Sequence, residues 1–378
     1  MFAVAAAALL IVSCGENKTS VTDVPESDIS VTMEDVARIM SRLPIDAGHL
    51  AEVYDAVSSS SGNGYDEEYM MADLFNSPGT GVGGGSSTKA GGYDNPLRDL
   101  FVEYLSRELP VTKSTQSDVE AYISALTESG YQIYWPYSED WDGETFPIIT
   151  FDPGYGAESN YGYEVRIDSR GAHVVDSVFV DESVAAVRPV WVINRNDDSA
   201  FTPVDLFVKS CGASVKSSDT RTCHNLTLES LKMLRNYDSW FAGGSEFFIK
   251  CGAVDGFNAN VIEDLYTYSP SVTDFLVVVK RRQLGEEIPL NCMLVTDFTN
   301  QMEKIAFMVI EDDGGEITSW KCQATVKYNS KSYGFDIELP VRSSDDIVWR
   351  GQLSRSYFSE GESVTGRFGD LEITFHLD

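Results

Sequence analysis

The sequence predicts an α+β protein: a helical N-terminal region, a mixed α+β middle domain and a C-terminal antiparallel β-sandwich. Two observations carry this. Apolar residues recur at helical spacing in several segments between Val31 and Leu126, then give way to strand-like runs between Tyr131 and Asn194. From Glu246 to the end the apolar residues alternate with period two. The 378 residues favour more than one domain, and 43% hydrophobic content with 11% aromatics is ample for packed cores. The boundaries read as 1–13 for a leader, 14–92 for a tether, helices and a Gly/Ser-rich linker, 93–213 for the α+β domain, 214–245 for a linker and helix, and 246–378 for the sandwich.

The elements follow in order. Val36, Ile39, Met40 and Leu43 fall on one helical face, and Thr32 with Asp35 supplies a capped start. Pro44 interrupts; a second helix is expected from Asp46 through Val57 and a short one around Asp66 to Phe75. Ser77 through Gly92 is nearly all Gly, Ser, Thr and Pro, a linker composition. Its Gly79-Thr80-Gly81-Val82-Gly83-Gly84 string spells a dinucleotide fingerprint, but no strand precedes it and no helix begins within it, so the mechanism of that motif is lacking. Pro96 opens a helix striped by Leu97, Leu100, Phe101, Tyr104 and Leu105. Ser117 to Ser129 is another, with Val119, Tyr122, Ile123 and Leu126 on one face and Gly130 as terminator. Strands are expected at Tyr131–Trp135, Pro147–Phe151, Tyr163–Ile167, His173–Val180 and Val190–Asn194.

Asn225 is expected to cap a helix carrying Leu226, Leu228, Leu231 and Leu234, closed by Gly243-Gly244. Beyond it Phe247, Ile249 and Cys251 alternate, and Phe275–Val279 and Cys292–Val295 are apolar runs. Asp313-Gly314 is a hairpin signal between Lys304–Glu311 and Glu316–Lys327. Alternation continues through Phe335–Val341, Ile347–Leu353 and Leu371–Leu377. About eight strands in succession suit a sandwich.

The start of the chain carries an address. Phe2 to Val12 is uninterruptedly apolar, the length of a signal-peptide core and far short of the roughly 20 residues that span a bilayer. Leu10-Ile11-Val12-Ser13-Cys14 resembles a lipobox, with a small residue before the cysteine. Cys14 is then the lipidation site, and its acyl chains the membrane anchor. The first basic residue is Lys18, so the true start is expected upstream.

The net charge of −31 argues against nucleic-acid partners, which need a basic footprint. Of the six cysteines, Cys211 and Cys223 are the candidate disulfide, whereas Cys251, Cys292 and Cys322 lie within apolar strand patterns and read as buried thiols. His49, His173, His224 and His376 show no zinc spacing, and no GxSxG or CxxC occurs.

Two segments stand out chemically. In Tyr134-Trp135-Pro136-Tyr137-Ser138-Glu139-Asp140-Trp141-Asp142, aromatics and carboxylates interleave. Rings stack on sugar faces and carboxylates accept from hydroxyls, which makes Tyr134, Trp135, Tyr137, Trp141, Glu139 and Asp142 the candidate ligand-binding set for a glycan or protein partner. The alternatives are a loop whose aromatics plug the core, or glycan or peptide hydrolysis by paired carboxylates. Asp312 and Asp313 sit at one expected turn, and Asp345 and Asp346 at another. If the two turns share one end of the sandwich, these four aspartates can hold calcium, the one cofactor the sequence suggests. Ordinary turn chemistry is the competing account.

The leader, Gly64-Tyr65-Asp66-Glu67-Glu68-Tyr69, Ile133-Tyr134-Trp135-Pro136-Tyr137, Pro189-Val190-Trp191-Val192-Ile193-Asn194 and the terminal strands together resemble acidic envelope lipoproteins of Bacteroidota whose function is unknown. The resemblance implies an outer-membrane anchor, on the periplasmic face or the cell surface, and carries over no site residues. The expected function is a non-enzymatic binding or assembly module; the alternative is a hydrolase using middle-domain carboxylates.

Overall fold

The computed structural model describes residues 30–60, 67–75, 96–108, 115–167, 173–196 and 224–378. Cys14 with its leader, the Gly79–Gly84 string, and Cys211 and Cys223 lie outside the described residues. Among the described residues no helix is long and apolar enough to cross a membrane.

Helix α1 (Met33–Met40) starts where its cap dictates: the Thr32 hydroxyl accepts from the Asp35 amide at 3.1 Å. Helix α2 (Ala47–Ser60) follows Pro44. The short helix expected over 66–75 splits into strand β1 (Glu68–Met70) and helix α3 (Met71–Phe75). Helices α4 (Leu97–Glu108) and α5 (Thr115–Glu128) complete the helical layer. The buried Glu52 carboxylate of α2 accepts the Leu97 amide at 2.7 Å, tying the start of α4 to α2.

Strands β2 (Tyr131–Tyr134), β3 (Ile148–Phe151), β4 (Ser159–Ile167), β5 (His173–Asp181) and β6 (Val190–Arg195) join β1 in one sheet of order β1-β2-β6-β3-β4-β5. Its β3–β6 pair is parallel and the other pairs are antiparallel. Both faces of its centre are buried. Ile133, Trp135, Ile149, Trp191 and Ile193 pack with the helices, while Tyr134, Ile148, Val190 and Val192 pack with Val180, Trp240 and Phe241. A strand buried on two sides reads as a continuous apolar run, which explains Ile133-Tyr134-Trp135 and Val190–Ile193. Residues Glu182–Ala185 form one helical turn, α6, capped by the Asp181 carboxylate.

The helix expected after Asn225 is instead strand β7 (Leu226–Met233). Its pairing with β16 (Leu371–Leu377) runs Ser230↔Thr374 then Leu228↔Phe375, leaving Glu229 as an extra residue. That bulge moves the buried side by one position, so Leu226, Leu228, Leu231 and Met233 are all fully buried. Gly243-Gly244 closes no helix. It ends a loop that carries Trp240 and Phe241 into the mixed sheet, and at Gly243, with φ 122°, an added Cβ would lie 2.4 Å from the Glu68 carboxylate.

Strands β8 (Ser245–Ala253), β9 (Ser271–Val279), β10 (Ile288–Val295), β11 (Met302–Glu311), β12 (Ile317–Tyr328), β13 (Lys331–Arg342), β14 (Asp346–Ser354) and β15 (Ser363–Phe368) complete a β-rich C-terminal region. One antiparallel sheet has the order β10-β7-β16-β15; the other has β13-β12-β11-β8-β9, with β14 also on β11. The expected tight hairpin at Asp313-Gly314 is open. β12 meets β11 only at Met302 and Lys304, and from Lys304 to Glu311 that edge belongs to β14. Leu231 and Phe375 from the smaller sheet share one apolar cluster with Phe247, Phe307 and Val309 from the larger. Cys251 and Cys292 are buried and Cys322 is half-buried.

Candidate cation site

Strand β11 is apolar from Ile305 to Ile310 and ends at Glu311, which Asp312 and Asp313 follow. Successive residues of an extended chain point to opposite sides, so the adjacent aspartates part company. Asp312 turns to Arg342, 3.7 Å away, and accepts the Gly314 amide at 3.3 Å. Asp345 accepts the Arg342 amide at 2.7 Å and lies against Asp312; burial and then that neighbour raise its carboxyl. Asp313 joins Glu311 and Asp238, with one carboxylate oxygen of each within 4.8 Å of the others. Asp346 is close enough to raise Asp313 by its charge. The structure therefore gathers Asp312, Asp313, Asp345 and Asp346 at one end of the β-rich region, divided into two sets.

The Asp238–Glu311–Asp313 set has the sharper chemistry. Glu311 is 1% exposed, and its Oε1 is buried without a hydrogen-bond partner, as is Asp238 Oδ2. Burial, then the facing Asp238 carboxylate, drives the Glu311 carboxyl far above its ordinary range. Burial also raises Asp238. Asp313, at the exposed rim, is pushed up to about 6 by burial and then by Asp238 and Asp346. Carboxylates this close do not all ionise unless a cation lies between them; without one they keep a shared proton. Oxygens that all lie within 4.8 Å of one another can meet a single ion at a Ca²⁺–O distance of about 2.3–2.6 Å, and an all-carboxylate donor set selects a hard ion over zinc.

Asp238 and Glu311 were not among the residues the sequence singled out. Asp238 lies on the loop after β7, far from the turn in sequence, and only the fold brings it there. Glu311 did leave a signal, a carboxylate closing the apolar run Ile305–Ile310.

The aromatic segment divides differently. Tyr134 is 2% exposed and Trp135 0%, so both belong to the two cores of the mixed sheet rather than to a ligand-binding surface, which corrects that part of the expected set. Tyr137, with φ 58°, is half-buried, and its hydroxyl donates to Glu182 at 3.5 Å. Half-buried Trp141 packs on Trp135 and Tyr54, each at 5.2 Å between ring centroids. Glu139 is paired with Arg282. Asp142 accepts the Thr145 amide and hydroxyl at 2.7 and 2.5 Å, bonds that hold its carboxyl below the usual range. Each of these two acids is committed to a partner of its own. No family model matches the chain, and no curated protein matches it.

Proposed function

We propose that this chain is an envelope-anchored, non-enzymatic binding module, held by lipid on Cys14 at the outer membrane. We read its two C-terminal sheets as a β-sandwich whose loop end is closed by calcium bound to Asp238, Glu311 and Asp313. The observation that carries the calcium reading is the Glu311 oxygen: buried, unpartnered, and within 4.8 Å of two further carboxylates. Leaving such a group unsatisfied costs about 1–3 kcal/mol, and more when it is charged. A cation removes that cost and joins the end of β11 to the loop after β7.

The anchoring reading rests on the apolar leader and the small residue before Cys14. Its test is fractionation: Cys14→Ala should move the protein from the membrane to the soluble fraction, and retention with a normally processed leader would sink it. The calcium reading is tested by thermal unfolding. At calcium near a hundred times Kd the folded state gains about 2.7 kcal/mol over the chelated protein, a shift of several degrees in Tm. Glu311→Gln, which keeps the shape and removes the charge, should lose most of that shift. An identical Tm in saturating calcium and in chelator would refute the site.

A further inference from the structure

We infer that the cleft between the loop 135–145 and the turn 185–189 binds a pyranose ring. This rests on the reading of the chain as a binding module and gives that module a ligand. The cleft has a volume of about 330 Å³, at the small end of the range for small-molecule sites. Trp141 supplies the aromatic wall. Its indole is held in place, the Nε1–H donating to the Thr145 carbonyl at 2.9 Å and the ring packed on Tyr54 and Trp135. A ring fixed in this way loses little entropy when a ligand lies on it. Ala186 and Val187 also line the cleft, Val187 being an aliphatic residue left 79% exposed.

Polar groups stand around these apolar walls. Asp140 is exposed on the lining, and Asp142 is held ionised by Thr145. Arg188 lines the cleft as well, with its guanidinium oriented by Glu164 at 2.6 Å. Two carboxylates against one arginine that is already paired disfavour phosphates and carboxylated ligands. Carboxylates and a guanidinium around an aromatic face suit a ligand that is neutral, has an apolar C–H face and carries hydroxyls at its edge. A pyranose is that ligand.

The test uses the whole chain and the methyl pyranosides of glucose, galactose, mannose and N-acetylglucosamine, read by saturation-transfer NMR and tryptophan fluorescence. At least one should bind in roughly the millimolar range, as expected for a small ligand with few atoms. Trp141→Ala should weaken it about tenfold, the worth of one good aromatic contact. Because Trp141 also packs against the core, a second variant is needed. Ala186→Trp at the exposed rim fills the cleft from outside and should abolish binding with far-UV circular dichroism unchanged. Binding of none of the four sugars by the wild-type chain, or binding that survives Ala186→Trp, overturns the inference. Neither result alters the fractionation of Cys14→Ala or the calcium shift in Tm, so failure of the sugar site is separable from failure of the anchoring and calcium readings on which the module rests.

Discussion

Glu311, Asp238 and Asp313 put their effect on stability into a pH window that can be worked out. In the unfolded chain such carboxyls titrate near 4. In the folded chain all three are raised, Asp313 to about 6: burial acts first on each, and a neighbouring carboxylate adds to it, Asp238 acting on Glu311 and Asp313, and Asp346 on Asp238. Raised acids stabilise the fold through their protonated form. That contribution is full below about pH 4 and is lost as pH rises through the folded values. Asp35, Asp46 and Glu164 are held low by hydrogen-bonding partners, so their stabilisation is complete above pH 4 and fades only in stronger acid. The two windows do not overlap. In chelator, Tm should therefore fall between pH 4.5 and 7.5, and calcium should restore it at pH 7.5 while adding little at pH 4.5, where protons hold the site. A chelated protein whose Tm rises across that interval would contradict the assignment. Replacing Asp313 by Asn should flatten the slope, since the amide cannot titrate.

The elements differ in how well they can be read from sequence, and the cause is local in each case. The Thr32–Asp35 cap and the stripes of α4 and α5 were legible because they depend on neighbours a turn away. Five of the six strands of the mixed sheet were legible too, β1 being the exception, but the burial of Tyr134 was not, because it depends on the loop carrying Trp240 and Phe241, nor that of Trp135, which depends on the helical layer and Tyr54. Strand β7 was misread for a definite reason. The extra residue at Glu229 turns a two-residue period into spacings of two, three and two, and with Leu234 that mimics a helical stripe. The two readings make opposite claims about adjacent residues. A helix buries Leu234 and spares Met233; the strand leaves Leu234 half-exposed and Met233 fully buried. Met233→Ala should cost about 2–5 kcal/mol in denaturant unfolding, and Leu234→Ala about 1 or less. The reverse order would return the helix. The cation site was half legible: the doubled aspartates announce two turns, whereas Asp238 enters only through the path of the loop after β7.

At the scale of the molecule, one side chain links the mixed sheet to the cation site. Arg281, whose side chain is 8% exposed, donates to both Glu182 oxygens, at 2.7 and 3.0 Å, and to the Asp238 carbonyl at 2.9 Å. Glu182 in turn accepts from Tyr137, which lines the aromatic cleft. The guanidinium thus holds the backbone of a proposed calcium ligand on one side and the border of the cleft on the other. Groups that orient a metal ligand from behind are typically worth about 10–100-fold in affinity. Arg281→Met keeps the aliphatic stem, removes the three donated bonds and leaves the Glu311–Asp313 geometry untouched. Its calcium affinity, measured by competition with an indicator dye, should fall about tenfold, and losing the three bonds of the buried guanidinium should lower stability in chelator as well. Glu182→Gln provides the control, because it weakens the pair on the cleft side while Arg281 can still donate to the Asp238 carbonyl. If Arg281 acts by positioning Asp238, Glu182→Gln should keep most of the calcium affinity that Arg281→Met loses. Equal losses in the two variants would mean that Arg281 serves only the packing of the two regions.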